Sequence, residues 1–161
     1  MVSLKNKSKG FTIVELLIVI VVIGILATLV IVTFTGIQQK ARDSKRKTDV
    51  GAVQAALESY YSSNNTYPTL AHLQDSTWLK TNLKGFDPSA LQDPKGAAGS
   101  TVGGSASSTQ YGYVVTADTG TVDAPTTCDD TPGVNNPCTN FKITADLETG
   151  TNQTVSKQSN N

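Results

Sequence analysis

The chain is poor in the side chains from which most catalytic and metal sites are built. It has one histidine, His72, and two cysteines, Cys128 and Cys138, among 161 residues. No serine or cysteine arrangement accompanies His72, and no nucleophile–base or metal constellation stands out, so an enzyme is a poor reading. Proline is absent before Pro68, so no proline stops a helix in the first 67 residues. Net charge is absent too, with 13 basic and 13 acidic residues. That balance hides a segregation. Lys5, Lys7 and Lys9 stand at the start, and Lys40, Arg42, Lys45, Arg46 and Lys47 form a cluster. From Asp49 onward acidic residues dominate, which argues against nucleic-acid binding by that part.

What the chain does have is a long apolar run. From Phe11 to Phe34 roughly 24 residues carry one ionisable side chain, Glu15; as a helix they span about 36 Å, enough to cross a bilayer core. A basic segment precedes the run as in an export signal, yet the run is too long and no A-x-A-like site follows it. An uncleaved anchor fits better. The positive-inside rule is awkward here, because the cluster at 40–47 outnumbers the leading lysines. The Ser/Thr-rich remainder with its paired cysteines favours an oxidising exterior, so the N-terminus is expected inside.

Beyond Phe34, Ile37, Ala41, Val50, Val53, Leu57 and Tyr60 recur at mostly helical spacing. Gly24, Gly36 and Gly51 weaken the helix by about 1 kcal/mol each without ending it. Termination is expected at Ser62–Asn65, giving one helix of about 50 residues, apolar first and amphipathic later. Residues 66–109 read as loop with a short helical piece around Leu70, Leu73, Trp78, Leu79 and Leu83. Within them Gly96–Ser108 reads as a flexible Gly/Ser/Ala loop. Strands follow. Tyr111, Tyr113 and Val115 alternate, Phe141, Ile143, Ala145 and Leu147 share one face, and a weak last strand covers Gln153–Lys157. The fold class is α+β: a long helix packed on a small antiparallel sheet of about three strands.

GFTIVELLIVIVVIGILA, from Gly10 to Ala27, resembles the processing and anchor motif of type IV pilins and the related pseudopilins of type II secretion. A short basic leader, glycine at the cleavage point, phenylalanine next and an acid at the fifth position of the run carry the likeness. The resemblance implies a leader at 1–10, a membrane and filament-core half-helix at 11–34, an amphipathic half at 35–64 and a globular head at 65–161. It implies that a prepilin peptidase cuts between Gly10 and Phe11 and methylates the Phe11 amine. Subunits are then assembled into a helical homopolymer, with other pilins, by a platform protein and cytoplasmic ATPases. The expected product is a type IV pilus subunit for adhesion, motility or DNA uptake, membrane-bound as a precursor and extracellular after assembly. The alternatives are a minor pilin or secretion pseudopilin, and, from another class, a monomeric signal-anchored binding domain. Many relatives carry a proline near the position of Val32; this chain does not, leaving Gly24 and Gly36 for any local unwinding.

Glu15 has its own physical argument. A carboxylate inside a bilayer costs a few kcal/mol unless partnered or interfacial. A neighbouring subunit's Phe11 amine would neutralise it and set register during assembly. The bland alternative is an interfacial glutamate without a partner. The basic cluster at 40–47 has three readings: contact with neighbouring subunits or head groups, a solvated polar face, or DNA. Cys128 and Cys138 flank CDDTPGVNNPC, where a disulfide worth about 2–3 kcal/mol competes with free thiols or a metal site. Asp118, Asp123, Asp129 and Asp130 crowd one region and are calcium candidates. Their spacing does not fit an EF-hand, and aspartates in turns are commonly just turn residues. No other cofactor is expected. Asn64-Asn65-Thr66 and Asn152-Gln153-Thr154 fit the glycosylation pattern weakly.

Overall fold

The computed structural model describes residues 10–117, 127–131, 133, 135–150 and 153–159. The chain divides into two units, Met1–Gln38 and Gln39–Asn161, and helix α1, Ile13–Asn64, supplies residues to both.

In the first unit the large apolar side chains from Phe11 to Ile37 are exposed, with Phe11 at 90% and Val32 at 72%. The threonine hydroxyls along this run are satisfied within it. The hydroxyls of Thr28, Thr33 and Thr35 donate to carbonyls three or four residues back. That is what a helix in a medium without water requires. Gly24 and Gly36 both sit in unbroken helix.

In the second unit, α1 turns a stripe of Val50, Val53, Leu57 and Tyr60 into the core. The stripe does not begin where the apolar pattern suggests. Ile37 and Ala41 are exposed, while Asp43, Arg46 and Asp49 occupy the buried positions one and two turns ahead of Val50 and Val53. The helix ends with Asn65 in the left-handed region at φ 56, its N–H donating to the Tyr61 carbonyl. Two short helices follow, α2 at Leu70–Gln74 and α3 at Ser76–Asn82. Asp75 caps α3 by accepting from the N–H groups of Thr77 and Trp78. A 3-10 turn at Pro88–Leu91 is capped likewise by Asp87.

Three antiparallel strands, β1 (Gly112–Ala117), β2 (Cys138–Asp146) and β3 (Thr154–Gln158), lie in the order β1-β2-β3. Alternation on β2 is clean: Phe141, Ile143 and Ala145 are fully buried, but Leu147 lies past the strand and is half-buried. On β1 it is not clean. Val115 is half-buried and Thr116 fully buried, and the register with β2 shifts just beyond them, between Thr116 and Ala117. Tyr67 sits between Tyr61 and Phe141, with ring centroids 4.5 and 4.7 Å away.

The expectation of a flexible Gly96–Ser108 loop is corrected. Val102 is fully buried, and Gly103 donates its N–H to the Tyr111 carbonyl and accepts from Tyr113 N–H. Gly112 permits this packing, since a Cβ there would lie 2.3 Å from the Ala106 nitrogen.

Leu57 is fully buried between helix and sheet. Leu57→Ala in the full chain in detergent is expected to cost about 2–4 kcal/mol in denaturant unfolding. A loss under about 0.5 kcal/mol, the range of ordinary surface substitutions, would mean that the helix does not depend on this contact.

Candidate functional site

The start of α1 carries a reciprocal cap. Thr12 precedes the first helical residue, and its hydroxyl accepts from Glu15 N–H at 3.2 Å. Glu15 answers with Oε2, accepting from Thr12 N–H at 2.8 Å and from the Thr12 hydroxyl at 2.7 Å. This is a capping box, which satisfies two orphan N–H groups at a helix start. Thr12-Ile13-Val14-Glu15 carries that signal in the sequence itself. Glu15 thus has a local hydrogen-bond partner in Thr12. Its Oε1 has no partner among the described residues. Gly10 and Phe11 just ahead are exposed.

The basic cluster is split by the fold. Arg46 is fully buried, and its five N–H groups are all directed at acceptors. Nε and Nη2 grip the two oxygens of Asp93 at 2.7 and 3.0 Å. Nη1 donates to Asp43 at 3.0 Å and to Glu148 at 2.9 Å, and Nη2 also reaches the Ser108 carbonyl at 3.4 Å. Arg42 makes a second two-pronged contact, to Glu148, at 2.7 and 2.6 Å. Asp43 in turn accepts from the N–H groups of Glu148 and Thr149 and from the Thr149 hydroxyl. For Arg46 the structure gives a buried intramolecular role in place of an exposed one, and Arg42 is paired to Glu148 while partly exposed. Their partners lie in the same chain, far away in sequence, where no local pattern announces them.

The electrostatics follow from these bonds. Burial raises the Asp43 carboxyl, but the Glu148 and Thr149 donors and Arg46 outweigh it and leave it at about 2 against an ordinary 3.8. Hydrogen bonding by Arg42, aided by Arg46, outweighs burial at Glu148 and lowers it from 4.5 to about 2. Asp93 holds the Arg46 guanidinium above its usual range despite burial. A neighbouring set joins Lys45 Nζ to Asp49 at 2.9 Å and the Tyr111 hydroxyl to the same carboxylate at 2.8 Å. Burial, then the Asp49 contact, pushes the Tyr111 hydroxyl up.

Cys128 and Cys138 form a disulfide. Inside the loop it closes, Asp130 is buried, accepts from Thr69 N–H at 2.6 Å and contacts His72 Nδ1. His72 also stacks on Trp78, with centroids 4.6 Å apart. Asp129 accepts from the N–H and hydroxyl of Thr131. Asp130 thus serves to dock the loop onto α2. The calcium candidates Asp118 and Asp123 lie outside the described residues, as does Asn152. Among the described residues no group of three or more His, Cys, Asp or Glu is arranged to hold a metal.

A capped, exposed apolar half-helix joined to a helix-on-sheet head defines a pilin-like subunit. The family described as the prokaryotic N-terminal methylation motif matches residues 5–31. The type II secretion system core protein G of Aeromonas hydrophila is 43% identical over 91 residues, 56% of this chain and 59% of that protein. Its counterpart in Escherichia coli (strain K12) is 42% identical over 64 residues, 40% of this chain and 44% of that protein. The type IV major pilin protein PilA of Myxococcus xanthus is 36% identical over 66 residues, 41% of this chain and 30% of that protein. The chain thus spans between 30% and 59% of these relatives' length. No solved structure matches. Over its N-terminal part the chain is thus similar to pilins and to secretion pseudopilins, with the methylation motif at residues 5–31 as the shared feature.

Because Asp43 and Glu148 are lowered on folding to about 2 from 3.8 and 4.5, the unfolded chain takes up their protons first as the medium is acidified. Their contribution is complete above about pH 4.5 and is lost as the pH falls toward 2. The melting temperature of the second unit should therefore drop across that window, and Glu148→Gln should flatten the drop. An equal slope in the variant would remove Glu148 from the account.

Proposed function

We propose that this chain is the precursor of a pilin-type filament subunit. Its leader, residues 1–10, is removed between Gly10 and Phe11 by a prepilin peptidase, and the new Phe11 amine is methylated. Residues 11–34 first hold the precursor in the membrane, with the head outside, and then pack with other copies as the filament core. Residues 35–64 are the amphipathic half of the long helix and residues 65–161 the globular head, and assembly draws on a platform protein and an ATPase. Its work is structural rather than catalytic.

The observation that carries this reading is the exposed apolar surface from Phe11 to Ile37. A patch of that extent needs a cover, and a bilayer or a bundle of like helices supplies one. Glu15 gives the bundle its register. With Oε2 committed to Thr12, the second oxygen is directed to a neighbour's Phe11 amine, where weak screening favours the pair. The filament is read first as a surface pilus for adhesion, motility or DNA uptake. A type II secretion pseudopilus is the second reading, favoured by the names of the core protein G relatives.

Fibres sheared from cells and analysed by mass spectrometry should show subunits beginning at Phe11 with a methylated amine. An intact Met1, or a cut near Ala27, would overturn the proposal. Glu15→Ala should leave processing intact and abolish or sharply reduce fibres seen by electron microscopy. Normal fibres from that variant would remove the pairing argument. Abundance of the chain in surface fibres separates a major pilus subunit from a minor or secretion component.

A further inference from the structure

The ion-pair cluster at the start of the second unit is layered by sign. Its carboxylates face inward: side-chain exposure is 5% for Asp43, 9% for Asp49, 0% for Asp93 and 12% for Glu148. Apart from Arg46, which is buried at the centre, its cations face outward: 47% for Lys45, 43% for Lys95 and 27% for Arg42. Lys40 and Lys47 are exposed as well, seven residues apart on one side of α1, and neither has an ion-pair partner among the described residues. The exposed Asp87 near Lys45 is the acidic exception. A segment with nearly balanced charge therefore presents a cationic surface.

We propose that this surface, led by Lys40 and Lys47, rests on anionic lipid head groups while the chain is membrane-anchored. The inference rests on the anchoring step of the function proposed above and adds the partner of the head's first turns. Two observations select lipid as the occupant. One is continuity of sequence: Lys40 follows Ile37, the last exposed large apolar residue of the run, by three residues. Lys47 is about 10 Å further along, within roughly one Debye length. The other is charge: exposed lysines next to a membrane-embedded run are attracted to anionic lipid in the leaflet that they face, by the same Coulomb attraction that acts at a cytoplasmic leaflet. Inward carboxylates do not oppose that attraction at the surface, whereas the same residues in extended sequence would. Nucleic acid fits less well, since the rest of the second unit is acidic. A head held down in this way has to be released when the subunit leaves the bilayer, and salt weakens the hold.

The test uses the full chain reconstituted in phosphatidylcholine vesicles, with or without roughly a third of phosphatidylglycerol. Acetylation rates of individual lysines are read by mass spectrometry. Lys40 and Lys47 should react about threefold or more slowly in the anionic vesicles and recover in about 0.5 M salt, while Lys80 and Lys84 stay unchanged. In the double variant K40Q/K47Q the response of Lys45 and Lys95 to anionic lipid should shrink. Equal rates at Lys40 and Lys47 in the two vesicle types would overturn the proposal. So would protection that appears in neutral vesicles and grows with protein density, which would assign the surface to a second copy. Failure of the chain to float with neutral vesicles would defeat the anchoring reading itself, and the lipid contact with it.

Discussion

The second unit is organised around one guanidinium. Arg46 gathers Asp43 from its own helix, Asp93 from the segment after the 3-10 turn and Glu148 from the turn after β2. Three pieces of chain far apart in sequence are thereby held at one point. A buried charge network is weak evidence for net stability, because desolvation offsets much of the attraction. Its effect is better described as specification. With all five donors of a rigid fork matched, a shift of α1 by one residue would leave a buried cation beside unpaired carboxylates, a cost of several kcal/mol. Apolar contacts at Val50, Val53 and Leu57 tolerate small slips more readily than this geometry does.

The same economy of paired charge appears at the other end of α1. Thr12 and Glu15 satisfy each other's polar groups before any second molecule is present. A carboxylate that must lie near or in a bilayer is less costly with two donors on one oxygen than with none. The cap also gives the helix a defined start directly after Phe11, so the proposed new N-terminus and Glu15 stand in fixed relation. A residue read only as an intermolecular partner therefore has an intramolecular task as well.

Much of the fold could be read from residues because it rests on short-range pattern. The apolar run, the helix end at Ser62–Asn65, the alternation of Phe141, Ile143 and Ala145 and the cysteine pair across CDDTPGVNNPC all express local periodicity or spacing. The misreadings share a cause. Sequence adjacency groups Arg42 and Arg46 with the neighbouring lysines and cannot reveal Asp93 or Glu148. The helical spacing of Ile37 and Ala41 does not mark the buried face, because the stripe there is carried by paired charged residues. Gly96–Ser108 looked flexible by composition, yet its glycines and small side chains let backbone approach backbone at Gly103 and Gly112. His72, isolated in sequence, found Asp130 across a gap of 58 residues.

The exposed apolar half-helix raises a question of driving force that the charged groups help to answer. Bilayer interior and filament core are both apolar, so moving residues 11–34 from one to the other releases little hydrophobic free energy. On the proposed readings what distinguishes the two environments is polar: a partner for the second oxygen of Glu15 in the bundle, and head groups for Lys40 and Lys47 at the bilayer. On the readings proposed here these contacts oppose each other, one gained as the other is lost. Transfer is then close to balanced for the subunit alone. Small changes in either contact, or work supplied by an assembly machine, would decide its direction. A nearly balanced exchange is what a polymer built from membrane-stored subunits needs, since a strong bias would leave it either unassembled or unable to retain a membrane pool.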